Sequence, residues 1–422
     1  MTKRFQRLSD RHSSESPTDR QERIKWWDQQ RLREANVMVI GAGALGNEVL
    51  KNLALMGVGY VLVVDCDEIE RSNLSRTALF RQEDLGQRKA VVAAARAQQM
   101  NVETTAVVEA LDADVVWEVG TGVFRRIDIV LGCLDNLEAR QAAGRACLQA
   151  DKPYIDGGIR ELAGSVYAFG PPYESCINCT TTARERSAAG NRYDSCFQVL
   201  LKGFSAGKIA TVQLTSAIVA GMQVEHTIKW LHQRFQQNSV RIQYDGGGLT
   251  PYFDVTKVSR RHGCDCNHLR QLPEPVAIPN SREQLTLQEL LVRARDAGLN
   301  RPVVKFPCSF VPNLFCSRCN LATDIMQPLY RLASDQLQCQ NCQTIADRTT
   351  IQLTQLADSL AVTEETSSAM TERIMTMRLQ ELGFPLLAIV QIDDLDSGSK
   401  FFEIAGDAQV SLPGLFQRKE RA

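Results

Sequence analysis

A short apolar run at residues 37–40 is followed at once by a turn that contains Gly41, Gly43 and Gly46. Glycines at this spacing let the backbone turn tightly after a strand and approach a phosphate closely, while the following helix offers unpaired N–H groups. Such a unit belongs to sheets in which parallel strands alternate with helices. It therefore predicts a nucleotide site at the carboxyl edge of a sheet.

The alternation of strands and helices continues downstream. Residues 44–56 place apolar side chains at helical spacing, a second apolar strand at 60–64 ends at Asp65, and another strand spans 127–131. This pattern predicts an α/β fold with a Rossmann-like, mostly parallel sheet that is covered on both faces.

Five polar residues after the loop suit a nucleoside triphosphate. Asp65 stands where a carboxylate can accept ribose hydroxyls. Arg76 and Lys89 can neutralise phosphate oxygens, and Asn73 can hydrogen-bond beside them. Asp135 follows an apolar strand, where a carboxylate is well placed to hold Mg²⁺. Each residue alone could be a cap or a surface charge, but their joint order favours ATP over a dinucleotide.

Eight of the thirteen cysteines form close pairs, which in a chain without an export signal suggest metal rather than disulfides. Two CxxC pairs nineteen residues apart predict a structural zinc ribbon, with the ligands Cys316, Cys319, Cys339 and Cys342. A CxxC and a distant CxC predict a second zinc site, with the ligands Cys176, Cys179, Cys264 and Cys266. His262 or His268 could replace one of the latter ligands, and reduced thiols without metal are the alternative for both sets.

Cys196 is a thiol of another kind. It lies in a polar, basic segment at 180–209, ahead of an apolar helix expected at 211–232. Nearby arginines and the helix N-terminus could lower its pKa and raise the thiolate fraction, which favours a nucleophile. The alternative is an inert, small apolar residue.

Over about residues 18–266 these motifs resemble the superfamily of ubiquitin-activating enzymes and the bacterial adenylyltransferases that activate sulfur-carrier proteins for thiamine and molybdopterin synthesis. The resemblance implies that the three loop glycines and Asp65 bind ATP, that Asn73, Arg76 and Lys89 contact its triphosphate, and that Asp135 holds Mg²⁺. It further implies that Cys196 takes the activated carboxyl as a thioester. Asp19-Arg20-Gln21 resembles an arm whose arginine reaches into the partner's active site in dimeric relatives, so Arg20 is a candidate catalytic residue in a homodimer.

The resemblance implies adenylation of a small β-grasp, ubiquitin-like protein with a C-terminal glycine, followed by transfer to a conjugating enzyme. The cofactors would be ATP, Mg²⁺ and Zn²⁺. A bacterial conjugation pathway, including one that serves antiviral defence, would be consistent with this reading. The alternatives are a sulfur-carrier adenylyltransferase in cofactor biosynthesis and a non-catalytic scaffold that binds nucleotide and a ubiquitin-like domain. A dehydrogenase is disfavoured because no histidine lies between residues 13 and 225.

The expected organisation has five segments: an arm and docking helix (1–30), an adenylation domain (31–268), a linker and helix (269–300), a zinc ribbon (301–352) and a small α+β segment (353–422). The fold class is thus α/β with a C-terminal α+β region that contains the ribbon. Lys and Arg number 48 against 49 Asp and Glu, which argues against nucleic-acid or membrane partners and favours protein docking. With no apolar run of signal or membrane-span length, we expect a soluble, cytoplasmic protein.

Overall fold

The structure is a computed structural model of the 422-residue chain. It describes residues 16–182, 211–234, 239–264, 266, 268, 271–316, 318–333, 336, 338–343, 351–354, 359–361, 369–394 and 398–417. Cys196 and the first half of the predicted arm lie outside these residues. Within the described ranges, no helix has the length and apolar character needed to cross a bilayer.

An eight-stranded sheet forms the centre of the N-terminal part. Its strands are β1 (Asn36–Ile40), β2 (Tyr60–Val64), β3 (Val107–Leu111), β4 (Ile129–Gly132), β5 (Tyr154–Arg160), β6 (Ala163–Phe169), β7 (Ser239–Asp245) and β8 (Tyr252–Lys257). They lie in the order β3-β2-β1-β4-β5-β6-β7-β8. Strands β3 to β5 in that order pair in parallel, and β5 to β8 pair antiparallel. The predicted Rossmann-like α/β fold is confirmed.

Helices cover both faces of this sheet. They are α1 (Asp19–Glu22), α2 (Gln29–Glu34), α3 (Ala44–Met56), α4 (Lys89–Met100), α5 (Thr121–Arg125), α6 (Leu137–Ala150) and α7 (Gln213–Leu231). Alternate residues of the buried strands divide the core: Val37 and Val39 pack with α3, α4 and α7, whereas Met38 and Ile40 pack with α5 and α6. This alternation follows from the two-residue repeat of a strand.

The C-terminal part contains two further sheets. Its elements are β9 (Val276–Ile278), α8 (Leu287–Asp296), β10 (Pro302–Lys305), β11 (Phe310–Cys316), β12 (Leu321–Pro328), β13 (Ile351–Thr354), β14 (Ser359–Ala361), α9 (Ala369–Met375), β15 (Ile389–Asp394), β16 (Gly398–Ile404), α10 (Ala408–Ser411) and α11 (Pro413–Gln417). The five-stranded sheet has the order β14-β10-β15-β16-β9, and the three-stranded sheet has the order β12-β11-β13. The first sheet therefore takes strands from the predicted linker, ribbon and α+β segments.

Two local features differ in how well the sequence indicated them. The predicted capping box at the start of α8 is present, because Thr286 accepts from the Glu289 N–H and the Glu289 carboxylate accepts from the Thr286 N–H. The single helix expected over 21–35 is instead two short helices. Asp28 caps the second, and its own N–H donates to Nε2 of His232 at 2.9 Å.

The C-terminal part packs directly on the large sheet. Leu386, Leu387 and Leu415 join the same core cluster as Met38 and Tyr60. The Gly120 N–H donates to the Leu386 carbonyl at 2.8 Å, and the Gly122 N–H donates to the Leu387 carbonyl at 3.1 Å. The last described helices thus help to cover one face of the nucleotide-binding sheet.

Candidate active site

The loop after β1 has room for glycine at two positions and open space at a third. Gly41 has a φ of +94°, and a Cβ there would lie 2.5 Å from the Cys133 carbonyl oxygen. A Cβ on Gly46 would lie 1.9 Å from the Gly41 carbonyl oxygen, so the start of α3 closes tightly on the loop. Nothing lies within 4 Å of a Cβ built on Gly43. The loop is therefore rigid beneath and open where a phosphate would approach.

Asp65 closes the end of β2 against this loop. Its Oδ2 accepts from the Ala42 N–H at 2.7 Å, and its Oδ1 accepts from the Asp67 N–H at 2.8 Å. Burial raises the pKa of Asp65, and the hydrogen bond from Ala42 opposes this effect. Each carboxylate oxygen has two lone pairs, so the fixed side chain keeps acceptor capacity for the hydroxyls of a ribose.

The predicted phosphate-binding residues lie on the segment between β2 and α4. Lys89 begins α4, its side chain is 12% exposed, and its Nζ lies 2.8 Å from Oδ2 of Asp67. Asn73 is buried, and its Oδ1 accepts from the Glu70 N–H at 2.9 Å. The Arg76 guanidinium is half-buried and donates to the Ser72 carbonyl. Both cations are held by single local contacts that a triphosphate can replace.

Asp135 lies at the same edge of the sheet. It follows β4, whose Gly132 pairs with Ile40 at the end of β1, and the Cys133 N–H donates to the Ile40 carbonyl at 2.8 Å. The next residue, Asn136, caps α6 by accepting from the Ala139 N–H at 2.8 Å. Asp135 is exposed and is not needed for that cap. Its carboxylate is therefore free to serve a hard cation such as Mg²⁺.

A buried polar network behind Asp135 was not indicated by the sequence. Asp156 on β5 accepts from the Tyr154 hydroxyl at 2.8 Å and from the Arg140 guanidinium, which also donates to the Leu134 carbonyl. Burial raises the pKa of Asp156, against the opposing effect of Arg140. Because Arg140 ties the β4–α6 turn to β5, it fixes the backbone that carries Asp135.

The first predicted metal cluster gathers four ligand atoms within 4.8 Å of one another, from Cys176, Cys179, Cys264 and His268. Cys176 Sγ lies 3.9 Å from Cys179 Sγ, 3.8 Å from Cys264 Sγ and 3.0 Å from His268 Nε2. His268 thus enters the set in which the sequence favoured Cys266, which is buried beside the same sulfurs. Tetrahedral zinc with thiolate at about 2.3 Å requires ligand separations near 3.8 Å, which this donor set fits.

The second cluster lies at one end of the three-stranded sheet. Its four sulfurs also lie within 4.8 Å of one another, with Cys316 Sγ 3.6 Å from Cys342 Sγ and Cys319 Sγ 3.5 Å from Cys339 Sγ. Cys316 ends β11, and the hairpin to β12 brings Cys319 back towards it. The geometry fits a closed, structural zinc site.

Arg20 does not lie at the nucleotide edge of its own chain. It is an exposed residue of α1. The neighbouring Gln21 donates to the Met56 carbonyl at 3.2 Å, at the C-terminal end of α3. A helix of this length is about 20 Å long, and the glycine loop lies at its other end. This placement is compatible with an arginine directed at a second chain.

Comparison with known proteins supports this description of the site. The ThiF family model matches residues 18–267. Ubiquitin-like modifier-activating enzyme 7 from Homo sapiens is 33% identical over 216 residues, which are 50% of this chain and 19% of the relative. A sulfur carrier protein adenylyltransferase from Thermus thermophilus is 39% identical over 144 residues, which are 34% of this chain and 52% of the relative.

The chain spans only part of these relatives, from about a fifth to about half of their length. A crystal structure of MccB from E. coli shares 20% sequence identity with a TM-score of 0.49, covering 60% of this chain and 75% of the other.

Proposed function

The chain belongs to the ThiF family, and on that premise we propose that it uses ATP to adenylate the C-terminal carboxylate of a small ubiquitin-like protein. The observation that carries this proposal is the meeting of the glycine loop, Asp65 and Asp135 at one edge of the sheet, with Lys89 and Arg76 on the adjoining segment. A hydride-transfer enzyme would not need these cations.

The proposed reaction is attack of the substrate carboxylate on the α-phosphorus of ATP, with pyrophosphate as the leaving group. The carboxylate is already ionised near neutral pH, so no general base is needed. Asp65 would orient the ribose, and Arg76 and Lys89 would neutralise charge on the departing phosphates. Asp135 would hold Mg²⁺, which supplies further neutralisation of the triphosphate when bound. Arg20 of a second chain would complete the cationic set in a homodimer.

We further propose that Cys196 receives the acyl group as a thioester and that a conjugating enzyme then takes it. Cys196 lies outside the described residues, so this step rests on its position in the sequence. Pyrophosphate leaves in the first step, and AMP leaves when the thiolate attacks the acyl adenylate. The C-terminal part would provide the docking surface for the conjugating enzyme.

The test is ATP–pyrophosphate exchange with labelled pyrophosphate, in the presence of purified β-grasp proteins that end in glycine. We expect exchange that depends on one such protein and on Mg²⁺. Asp135→Ala should reduce it at least a hundredfold, the effect of losing one strong electrostatic contact in the transition state. Glu225→Gln, an exposed change on α7, is the matched control and should leave exchange intact. Failure of the protein to bind Mg·ATP would refute the proposal.

A second function is favoured by the sulfur-carrier relative that is 39% identical over 144 residues. In that case the adenylated partner would become a thiocarboxylate and not a conjugate. The two outcomes differ in mass at the partner's C-terminus. Cys196→Ala separates them as well, because it should abolish a thioester without affecting pyrophosphate exchange.

A further inference from the structure

A polar groove lies on the antiparallel half of the large sheet, beyond the nucleotide edge. Its floor is made by small or neutral residues in register, with Gly158 opposite Ser165 and Ser165 opposite Gln243. A Cβ on Gly158 would approach the Arg140 guanidinium at 3.5 Å, whereas a Cβ on Gly157 would meet Gln223 of α7. The groove therefore lies on the face that carries α6, and α6 leaves this part of the sheet open.

Arg241 stands in this groove without a counterion. Its guanidinium lies 5.9 Å from the centre of the Tyr167 ring and donates to Oε1 of Gln243. Its Nε is buried and has no hydrogen-bond partner. Among the described residues Arg241 forms no ion pair. A half-buried guanidinium with an unused buried donor is costly unless a ligand supplies the acceptor.

The surroundings suit a single negative charge. Gln243 pairs across the sheet with Asp254 of β8, and Asp245 lies two residues along the same strand. Arg160 at the mouth of the groove is 82% exposed and lies 3.8 Å from Glu161, a contact of little energetic weight. These carboxylates lower the local positive potential, which disfavours a phosphate dianion more than a carboxylate.

We propose that Arg241, with Gln243 and Ser165, binds the side-chain carboxylate of an Asp or Glu in the C-terminal tail of the protein that is activated. This inference rests on the proposed function, because it takes the tail to run from this groove to the nucleotide edge. A guanidinium binds a carboxylate through two parallel N–H donors, and the small floor leaves room for an extended backbone.

The sheet geometry also gives the position of the acid in the tail. Three strand spacings separate β4, which leads to Asp135, from β7, which carries Arg241. At about 4.8 Å per spacing this is about 14 Å, and an extended chain covers about 3.3 Å per residue. The acidic residue should therefore stand about four to six residues before the terminal carboxylate.

The experiment uses fluorescein-labelled peptides that end in Gly-Gly and carry one Glu at successive positions before it, each matched by a peptide with Gln. Binding to the full chain is followed by fluorescence anisotropy, without nucleotide and with Mg·ATP. We expect the Glu peptide to bind about tenfold or more tightly than its Gln partner at one of the stated positions, the effect of a charge-assisted hydrogen bond. The preference should be much smaller elsewhere in the tail.

Three variants assign the preference to the arginine. Arg241→Gln should remove it, and Arg241→Lys should keep part of it, because the charge remains while the paired donors are lost. Arg373→Gln changes an arginine whose side chain is 57% exposed, in the C-terminal part, and should leave it unchanged. Circular dichroism and the melting temperature establish that each variant is folded.

Equal affinity for Glu and Gln peptides, or a preference that survives in Arg241→Gln, would overturn the inference. Absence of binding by every peptide in a protein that binds Mg·ATP would also overturn it, while leaving the proposed adenylation intact. A protein that shows the Arg241-dependent preference but binds no Mg·ATP would refute the proposed function instead.

Discussion

The ion pair between Arg126 and Glu403 should hold the C-terminal part against the nucleotide-binding sheet. Arg126 Nη1 and Nη2 lie 2.6 and 2.9 Å from the two Glu403 oxygens, and the side chains are 17% and 9% exposed. Nη1 also donates to the Gly122 carbonyl at 2.8 Å, and the guanidinium lies over the Phe416 ring. We therefore choose Glu403→Gln, which keeps the shape of the side chain and removes its charge.

The expected cost is about 2 kcal/mol. Removal of one partner of a fully buried pair costs about 3–5 kcal/mol. Here both side chains keep some contact with water, and the Gln oxygen can still accept one hydrogen bond, which lowers the figure. A change of about 2 kcal/mol corresponds to a factor of about 30 in the equilibrium between closed and open forms.

Hydrogen exchange followed by mass spectrometry measures this opening locally. The Gly120 and Gly122 N–H groups donate to the Leu386 and Leu387 carbonyls, so they exchange when the interface opens. In Glu403→Gln, peptides that cover these two amides should lose protection by about 30-fold, while peptides from β1 should change less. The matched control is Asp324→Asn, which removes an exposed pair with Arg373 and should cost less than about 1 kcal/mol.

Unchanged protection at Gly120 and Gly122, or a loss no larger than in Asp324→Asn, would refute the reasoning. Either result would mean that apolar contacts alone hold the two parts together.

Three further predictions concern the loop, the ribose carboxylate and the metal sites. Gly46→Ala places a methyl group 1.9 Å from the Gly41 carbonyl oxygen, so calorimetry should show Mg·ATP affinity reduced at least about tenfold, in line with the loss of one strong contact. Burial raises the pKa of Asp65, so nucleotide affinity should fall on acidification at a higher pH than for an ordinary aspartate; protonation should stabilise the free protein as the pH falls through this raised pKa, and Asp65→Asn should flatten both profiles. Native mass spectrometry should find two zinc ions per chain; after mild chelation His268→Ala should lose one of them more readily than Cys266→Ser does, and equal retention would remove His268 from the ligand set.

Features that depend on neighbouring residues were predictable from the sequence. The strand at 60–64 and the Thr286–Glu289 capping box appear where the pattern placed them. Both arise from local rules: the run of buried β-branched residues in one case, and the reach of a side chain over one turn in the other. The nucleotide edge was predictable for the same reason, because each of its residues directly follows a strand or begins a helix.

Features that depend on distant pairing were not predictable. The strand β9 has three residues in a proline-rich stretch, and it exists only because β16, more than a hundred residues later, pairs with it. The Arg140–Asp156 contact likewise requires β4 and β5 to be neighbours. The interrupted helix before β1 depends on His232, which accepts the Asp28 N–H from the far end of α7. No local pattern encodes these partners.

The packing of Leu386, Leu387 and Leu415 on the sheet that begins at residue 36 has a consequence for synthesis. A ribosome releases the glycine loop and every predicted phosphate ligand long before these leucines emerge. Until then, the face of the sheet around Tyr60 and Met38 is bare and prone to aggregation. We therefore expect nascent chains halted before residue 386 to recruit chaperones, and full-length chains to escape them.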